Sequence, residues 1–257
     1  MILPGGRALV ALTLIGALSR HAVAQDTTAV FRHLLSLDVS KVRPFHRAYE
    51  MLTRGPDSAV VIGQRDLVLD SASYNGAPAW LLIETRTGVV AAVESLYIAP
   101  DLRPLHWSSV LGAARLGAEF VGDSIYGATT MQAGKQNLVV GSRPDLLVSL
   151  SMVELLIPLL PLTADWSDSA AVLGVDLTSS LITPARLAVV ANLEEQRDSV
   201  VVRTMFVELS AEQHRVVFAF DAATGDVLSV RQPLPPQTGS ELEYRLRPDP
   251  AAAPPLR

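Results

Sequence analysis

From Ser58 onward, apolar and polar residues alternate along the chain in short segments separated by turns. In the segment 77–86, Trp80 and Leu82 share one face with Glu84 and Arg86, which we interpret as the solvated face. A period of two with one solvated face is typical of an antiparallel sheet. The pattern predicts about a dozen strands. They lie at residues 59–69, 77–86, 89–98, 103–111, 114–121, 125–133, 137–141, 171–177, 185–193, 199–209, 214–220 and 226–231.

Glycine-bearing turns connect the predicted strands. Asn75-Gly76 and Thr87-Gly88 fit tight hairpins, and Gly225 fits the left-handed position of the loop Asp221–Asp226. A sheet this large must curl or close, because flat sheets of that size are rare and open edges invite aggregation. We therefore predict a mainly β fold, in which one large curved antiparallel sheet forms a half-open barrel.

One helix is predicted within this run of strands, at residues 143–157. Ser142 and Asp145 resemble a capping box at its start, and Pro158 ends it. Apolar residues cover nearly every face of the segment, namely Leu146, Leu147, Val148, Leu150, Met152, Val153, Leu155, Leu156 and Ile157. A helix that is apolar all round is buried or lies against something apolar. This one is shorter than the roughly 20 residues that span a bilayer, so we expect it to lie on the concave face of the sheet.

Two short helices are predicted ahead of the sheet, at residues 27–37 and 44–52. Val30, Phe31, Leu34 and Leu35 form a helical stripe in the first, and Pro44 suits the first turn of the second. We divide the exported chain into an N-terminal helical segment (25–57), an antiparallel β domain (58–236) and a flexible tail rich in proline and alanine (237–257).

Residues 1–24 have the three parts of a secretory signal peptide. Arg7 provides the positive charge, Ala8–Leu18 is the apolar core, and small residues precede a cleavage site at Ala24. We predict a periplasmic or secreted protein whose mature chain begins at Gln25 and has no transmembrane anchor. The sequence contains no cysteine, so we expect no lipid attachment after cleavage.

Composition narrows the possible functions. Cleavage removes Arg7 and Arg20 and no acidic residue, which changes the formal net charge from −5 to −7. This acidic balance argues against nucleic-acid binding, which needs a basic surface. Without cysteine there is no disulfide framework, thiol nucleophile or zinc–thiolate site. The sequence also lacks a phosphate-binding loop, a dinucleotide fingerprint and a zincin motif, so we expect no cofactor.

One short motif is similar to the nucleophile block of secreted esterases. Gly122-Asp123-Ser124-Ile125 resembles their Gly-Asp-Ser-Leu sequence, in which the serine attacks the ester. A nucleophilic serine needs a base held by a third group. That family supplies both from an Asp-x-x-His motif, which this chain lacks. We interpret the block as a turn between two strands and keep a serine hydrolase only as a remote alternative.

Three other groups of titratable residues have plain explanations. His46 and Glu50 are four residues apart on a predicted helix, yet no further ligand completes a metal site. His106 lies on a predicted strand of alternating pattern, and we interpret it as a half-buried histidine. Glu84 and Glu94 lie on neighbouring strands, but an acid–base pair would need a cleft and a pocket that raises one pKa. We interpret both glutamates as parts of solvated strand faces.

The apolar helix supports the most specific functional hypothesis. It could be ordinary core, or a lid or plug over a concave apolar pocket that binds a lipid or acyl chain. The candidate lining residues are Leu147, Leu150, Met152, Val153, Leu156, Trp80 and Trp107. The alternative is a structural or interaction domain that binds a protein partner in the cell envelope and no small ligand. We find no catalytic constellation and expect no enzyme.

The combination of a leader, many short strands and a mid-chain apolar helix resembles the lipoprotein-carrier superfamily of envelope proteins. The run Ser95–Leu105, together with Leu159–Leu162 and the turn around Thr224-Gly225-Asp226, also resembles a family of secreted bacterial proteins of unknown function. The likeness covers about residues 58–235. It implies a half-open barrel with a helical lid, and it implies no catalytic or ligand-binding residue.

Overall fold

The computed structural model describes most of the chain after Ser36. The described ranges are residues 37–89, 91–131, 134–141, 146–175, 180–197, 200–211, 214–234 and 239–247. Within them, fifteen strands form a single sheet and one α-helix lies between the ninth and tenth strands. The predicted mainly β fold, with one large curved sheet and one inserted helix, is confirmed.

The strands are β1 Phe45–Arg54, β2 Ala59–Tyr74, β3 Ala77–Gly88, β4 Ala92–Ile98, β5 Pro104–Leu111, β6 Ala114–Val121, β7 Ser124–Met131, β8 Gly134–Gly141, β9 Leu146–Leu147, β10 Ser167–Val175, β11 Ser180–Arg197, β12 Val200–Ala211, β13 His214–Asp221, β14 Val227–Pro233 and β15 Glu241–Leu246. The helix α1 spans Leu150–Leu156. Short 3-10 helices lie at Val39–Lys41 and Ile157–Leu159.

The strands follow one another around the sheet as two meanders. β1 to β8 form the first and β10 to β15 the second, and β1 pairs antiparallel with β15 to join them. The edges of the sheet are β8 and β9. Only five residue steps join Gly141 at the end of β8 to Leu146 at the start of β9, which limits their separation to about 18 Å. The two edges therefore come close together, and the sheet is curved and barrel-like without being closed.

The core lies on the concave side of the sheet. Val216, Phe218 and Phe220 alternate along β13, and all three are buried, as the sequence predicts. The helix α1 fills part of the concavity, and its residues from Ser151 to Leu156 are all buried. Since its apolar side chains join the same cluster as those of the strands, α1 is an integral part of the core.

The predicted turns at Asn75-Gly76 and Gly225 are confirmed, whereas the predicted hairpin turn at Thr87-Gly88 is wrong, because both residues belong to β3 and pair with β2. Asn75 and Gly76 have φ values of 51° and 81° between β2 and β3, and Gly225 has a φ of 77°. Gly88, the last residue of β3, has a φ of 103° and allows a close approach: a Cβ there would lie 2.2 Å from the carbonyl oxygen of Ile62. A side chain at Gly88 would therefore push this end of β3 away from β2.

The predicted helix at residues 44–52 is wrong, because these residues form strand β1. Phe45, Tyr49 and Leu52 have helical spacing, but Tyr49 and Met51 alternate into the core. Pairing with β2 on one side and β15 on the other supplies hydrogen bonds that outweigh the local helical pattern. The other N-terminal helix, predicted at 27–37, lies outside the described residues except for Leu37, which belongs to the core.

The predicted helix at residues 143–157 is shorter in the structure. It begins at Leu150, where the Ser149 hydroxyl accepts a hydrogen bond from the Met152 amide at 3.3 Å. Leu146 and Leu147 instead form β9, which pairs in parallel with β10. The proposed cap at 142–145 lies outside the described residues. None of the described helices has the length and apolar character needed to cross a membrane.

The predicted flexible tail at residues 237–257 contains a strand. Glu241–Leu246 forms β15, which lies between β14 and β1 in the middle of the sheet. Leu242 and Tyr244 are buried on its concave face, so part of the predicted tail belongs to the core. Residues 248–257 lie outside the described part of the chain.

Candidate functional site

A buried ion pair attaches α1 to the sheet. Tyr49 of β1 and Arg65 of β2 are register partners, so their side chains leave the same face of the sheet. Arg65 Nη1 lies 2.6 Å from Glu154 Oε1 of α1, and the Tyr49 hydroxyl donates a hydrogen bond to Glu154 Oε2 at 2.9 Å. Taking each charge out of water costs several kcal/mol, an expense that this close pairing offsets.

Arg65 lies at the centre of a larger charged network. Its Nη2 donates a hydrogen bond to Glu84 Oε2 at 2.7 Å, and Glu84 Oε1 lies 3.0 Å from Arg86 Nε. The guanidinium also lies 5.0 Å from the ring centroid of Tyr49 and 4.9 Å from that of Tyr244. These aromatic faces add a cation–π attraction to the buried cation. Both oxygens of Glu84 are therefore held by arginines.

A second glutamate faces the same interior. Glu84 of β3, Glu94 of β4, Ser109 of β5 and Leu116 of β6 are successive register partners, so they form one row across the concave face. Ser151 of α1 donates a hydrogen bond to Glu94 Oε1 at 3.1 Å. Within the described part of the chain, no basic side chain forms an ion pair with Glu94, in contrast to Glu84.

Burial sets the protonation of these carboxyls. Desolvation raises the pKa of Glu94, and the negative charge of Glu84 raises it further, whereas hydrogen bonds from Ser149 and Ser151 and the positive charge of Arg86 act in the opposite direction. Desolvation also raises the pKa of Glu154, against the opposing charge of Arg65. Burial therefore makes the ionised form of both glutamates less favourable than it would be in water.

The charged network borders a cavity of about 250 Å³ at the N-terminal end of α1. The polar and charged lining residues are Arg65, Glu84, Arg86, Glu94, Ser109, Ser149, Glu154 and Gln232, and the apolar and aromatic ones are Trp107, Leu116, Val148, Leu150, Leu173, Val230 and Tyr244. The Trp107 indole N–H is buried and has no hydrogen-bond partner among the described residues. A buried donor of this kind is normally satisfied by a water or a ligand atom.

Two of the seven predicted lining residues border this cavity. They are Leu150 and Trp107. The other four residues predicted on the helical segment, namely Leu147, Met152, Val153 and Leu156, are buried in the packed core instead. Trp80 is partly buried and packs against the same core, outside the cavity lining.

The interpretation of Glu84 and Glu94 as solvated is wrong. The face of β3 that carries Glu84 and Arg86 is the concave one, where Leu82 is 1% and Glu84 7% exposed. α1 covers this face and supplies Glu154 and Ser151, the partners that make buried charge tolerable. One feature of the sequence indicated this site: Glu154 is the only charged residue of α1, in which the others are apolar except Ser151.

His46 and Glu50, predicted as a pair on one face of a helix, do not lie on a helix. His46 and Glu50 lie on strand β1, and His46 Nε2 is 3.1 Å from Asp66 Oδ1 on the exposed face. No cluster of three or more histidine, aspartate and glutamate side chains suited to a metal occurs in the described residues.

His106 and Ser124 lie away from the cavity. His106 Nδ1 is 2.7 Å from Glu119 Oε1, and the Tyr74 hydroxyl donates to Glu119 Oε2 at 2.6 Å. This hydrogen bond, with burial and the charge of Glu119, raises the pKa of Tyr74 to about 12. Ser124 opens β7 after a turn in which Gly122 has a φ of 55°, so the turn interpretation is confirmed.

A more open groove of about 430 Å³ lies beyond the other end of α1. Ile157–Leu160, Leu162, Met205 and Phe220 give it an apolar floor, and Lys41 and Arg203 lie at its rim. Asp38 lies 3.5 Å from Lys41 Nζ, and Asn192 accepts a hydrogen bond from Arg203 Nε at 3.1 Å. The buried network of Arg65, Glu84 and Glu154 therefore borders the smaller cavity.

Comparison with known proteins gives one informative likeness. No family model and no curated protein matches the chain. A crystal structure of a β-barrel-like protein from Brucella abortus, with a domain of unknown function called DUF1849, superposes with a TM-score of 0.50 at 9% identity. The match covers 79% of this chain and 95% of the Brucella chain. It shows a shared barrel-like fold. The resemblance to the lipoprotein carriers stays a prediction.

Proposed function

We propose that this is an exported envelope protein whose β domain binds a small amphipathic ligand in the cavity beside α1. The observation that carries the proposal is the composition of the cavity. Its lining combines paired and unpaired buried charges with apolar side chains such as Trp107, Leu116 and Leu173. Binding sites combine apolar surface with fixed polar groups, and here the polar groups form about half of the lining.

The cavity volume bounds the size of the ligand. At about 250 Å³ it falls slightly below the range of roughly 300–1,000 Å³ common for small-molecule sites. It suits a small molecule, or the end of a longer one, better than an entire lipid. The sequence predicts an apolar ligand such as an acyl chain. Because the cavity also has charged lining residues, we expect the ligand to carry a polar group as well.

The charged lining residues are better suited to binding a ligand than to catalysing a reaction. An acid–base or nucleophilic mechanism needs a carboxylate with a free oxygen and a partner of different pKa. Arg65 and Arg86 occupy both oxygens of Glu84, and Arg65 and Tyr49 occupy those of Glu154. Glu84 and Glu154 are therefore held in place, and among the described lining residues Glu94 has no second free carboxylate beside it to act as its acid–base partner.

Native mass spectrometry of gently purified full-length protein tests the proposal. We expect a bound small molecule that survives in the wild type and is lost in Ser109→Phe, which fills the cavity. Ser108→Phe is the matched control, since the neighbouring side chain leaves the opposite face of β5 and contacts Ser95. A clean unliganded mass in both the wild type and the control would overturn the proposal and favour the structural or interaction domain.

A further inference from the structure

We infer that the ligand of this cavity is a small organic cation, an ammonium group on a short apolar body, and that Glu94 binds the ammonium. This inference rests on the proposed function and adds the chemical class of the ligand. It follows from the distribution of charge around the cavity and from the oxygen acceptors beside Glu94, while the buried Trp107 N–H remains for a water molecule or for an acceptor on the ligand body.

The described lining carries an excess of one negative charge when Glu94 is ionised. Three glutamates, Glu84, Glu94 and Glu154, and two arginines, Arg65 and Arg86, border the cavity. Both arginines are engaged: Arg65 lies 2.7 Å from Glu84 and 2.6 Å from Glu154, and Arg86 lies 3.0 Å from Glu84. The carboxylate left without an ion pair among these residues is Glu94. A negatively charged ligand would therefore meet no free cation.

The groups beside Glu94 are suited to an ammonium. An ammonium has three N–H donors and no acceptor, so it needs several oxygen atoms around it. Glu94 lies opposite Ser109 on β5, and the hydroxyl groups of Ser109 and Ser149 both border the cavity. The Glu94 carboxylate and the Ser109 hydroxyl thus supply acceptors, and Ser149, which already accepts from the Met152 amide and lies 2.7 Å from the Ser151 hydroxyl, can supply one further lone pair. Its charge would also stabilise the ionised form of Glu94, which burial disfavours.

The apolar lining residues would contact the rest of the ligand. Leu116 continues the row beyond Ser109, and Trp107 lies two residues before Ser109 on the same face of β5. Leu150 of α1 borders the same space. An alkyl or aryl group attached to the ammonium would pack on these side chains while the charged end faces Glu94. A hydrophobic body of this kind also excludes water from the ion pair, which strengthens it.

Calorimetric titration with hexylamine, hexanol and hexanoate tests the ligand class, because these probes share one chain length and differ in the polar group. We expect the wild type to bind hexylamine at least about tenfold more tightly than hexanol, since charge-assisted hydrogen bonds are stronger than neutral ones. Hexanoate should bind most weakly. Glu94→Gln should reduce the preference for hexylamine over hexanol to about twofold or less, given that its amide removes the charge and keeps the shape.

Glu119→Gln is the matched control, because it removes a carboxylate from strand β6 outside the cavity and should keep the full preference for hexylamine. If Glu94→Gln does not fold, the comparison of the three probes on the wild type tests the ligand class by itself. Equal binding of hexanol and hexylamine, tighter binding of hexanoate, or binding of none of the three would overturn the cationic class. The broader proposal would survive each of these results if native mass spectrometry still detected a ligand that Ser109→Phe removes.

Discussion

Arg65 on β2 and Glu154 on α1 form an ion pair in which Nη1 lies 2.6 Å from Oε1 and neither side chain is more than 2% exposed. The pair connects the only described α-helix to the concave face of the sheet. Tyr49 and Glu84 complete the hydrogen bonding of the two charges. The helix is therefore anchored by charge at the border of the cavity as well as by apolar contacts.

Breaking this pair from one side should be costly. Glu154→Leu leaves the buried Arg65 with Glu84 as its remaining carboxylate, and we expect the free energy of unfolding to fall by about 3–5 kcal/mol. The double variant Arg65→Met/Glu154→Leu removes both charges and leaves Glu84 paired with Arg86. It should recover most of the loss, because apolar replacement of a buried pair is often neutral or stabilising. Urea denaturation measures both; equal losses in the single and double variants would contradict this account.

Glu243 on the opposite face should make stability depend on pH. Burial opposes its ionisation, but hydrogen bonds from Arg54 and Arg245 and the charge of Arg231 outweigh it and hold its pKa below the ordinary value of 4.5. Because the folded pKa is depressed, this stabilisation is present above about pH 4.5 and is lost as the pH falls through the folded pKa. Glu243→Gln should lose less stability than the wild type on acidification in this range.

The control for this comparison is Glu241→Gln, which replaces an exposed glutamate on the same strand. Unfolding curves recorded from neutral pH downward should give parallel profiles for this control and the wild type. A Glu243→Gln profile with the same acid dependence as the wild type would show that Glu243 does not carry the effect.

Substitution of two leucines of α1 should distinguish a residue packed in the core from one that borders the cavity. Leu156 is 3% exposed within the core, so Leu156→Ala should lower the free energy of unfolding by about 2–5 kcal/mol. Leu150 is half-buried and borders the cavity, so Leu150→Ala should cost less. Thermal or urea unfolding of the two variants checks this order. The reverse order would mean that Leu150, and not Leu156, is packed in the core.

The predicted signal peptide determines the mass expected for the exported protein. Protein recovered from the envelope fraction of expressing cells should begin at Gln25, because small residues at Ala22 and Ala24 suit signal peptidase. Replacing Ala24 with Trp should block processing and leave a larger, cell-associated precursor. An intact mass that retains residues 1–24 in the exported wild-type protein would contradict the predicted cleavage.

Much of the sheet could be predicted from sequence because its strands carry their own period of two and their own turns. β13 shows this, with Val216, Phe218 and Phe220 all facing inward. β1 and β15 could not be predicted in the same way. β1 has helical spacing at Phe45 and Tyr49, and its strand form depends on pairing with a segment almost two hundred residues away.

The site was harder to predict than the fold. Glu84 and Glu94 have the alternating pattern of a solvated face, and the sequence of β3 and β4 alone says nothing of what covers them. The residues that cover them, Glu154 and Ser151, belong to α1, which lies more than fifty residues after β4 in the chain. Local pattern predicts which residues share a face, whereas the identity of the buried face depends on these distant partners.

The central claim is that the cavity beside α1 holds a small molecule. A crystal structure of the protein purified from exporting cells without denaturation tests it most directly. We predict continuous electron density inside the cavity that is too large for a water molecule and contacts both the Glu94 carboxylate and the Leu116 side chain. A cavity closed by rearranged side chains, or one that contains only separate water molecules, would contradict it.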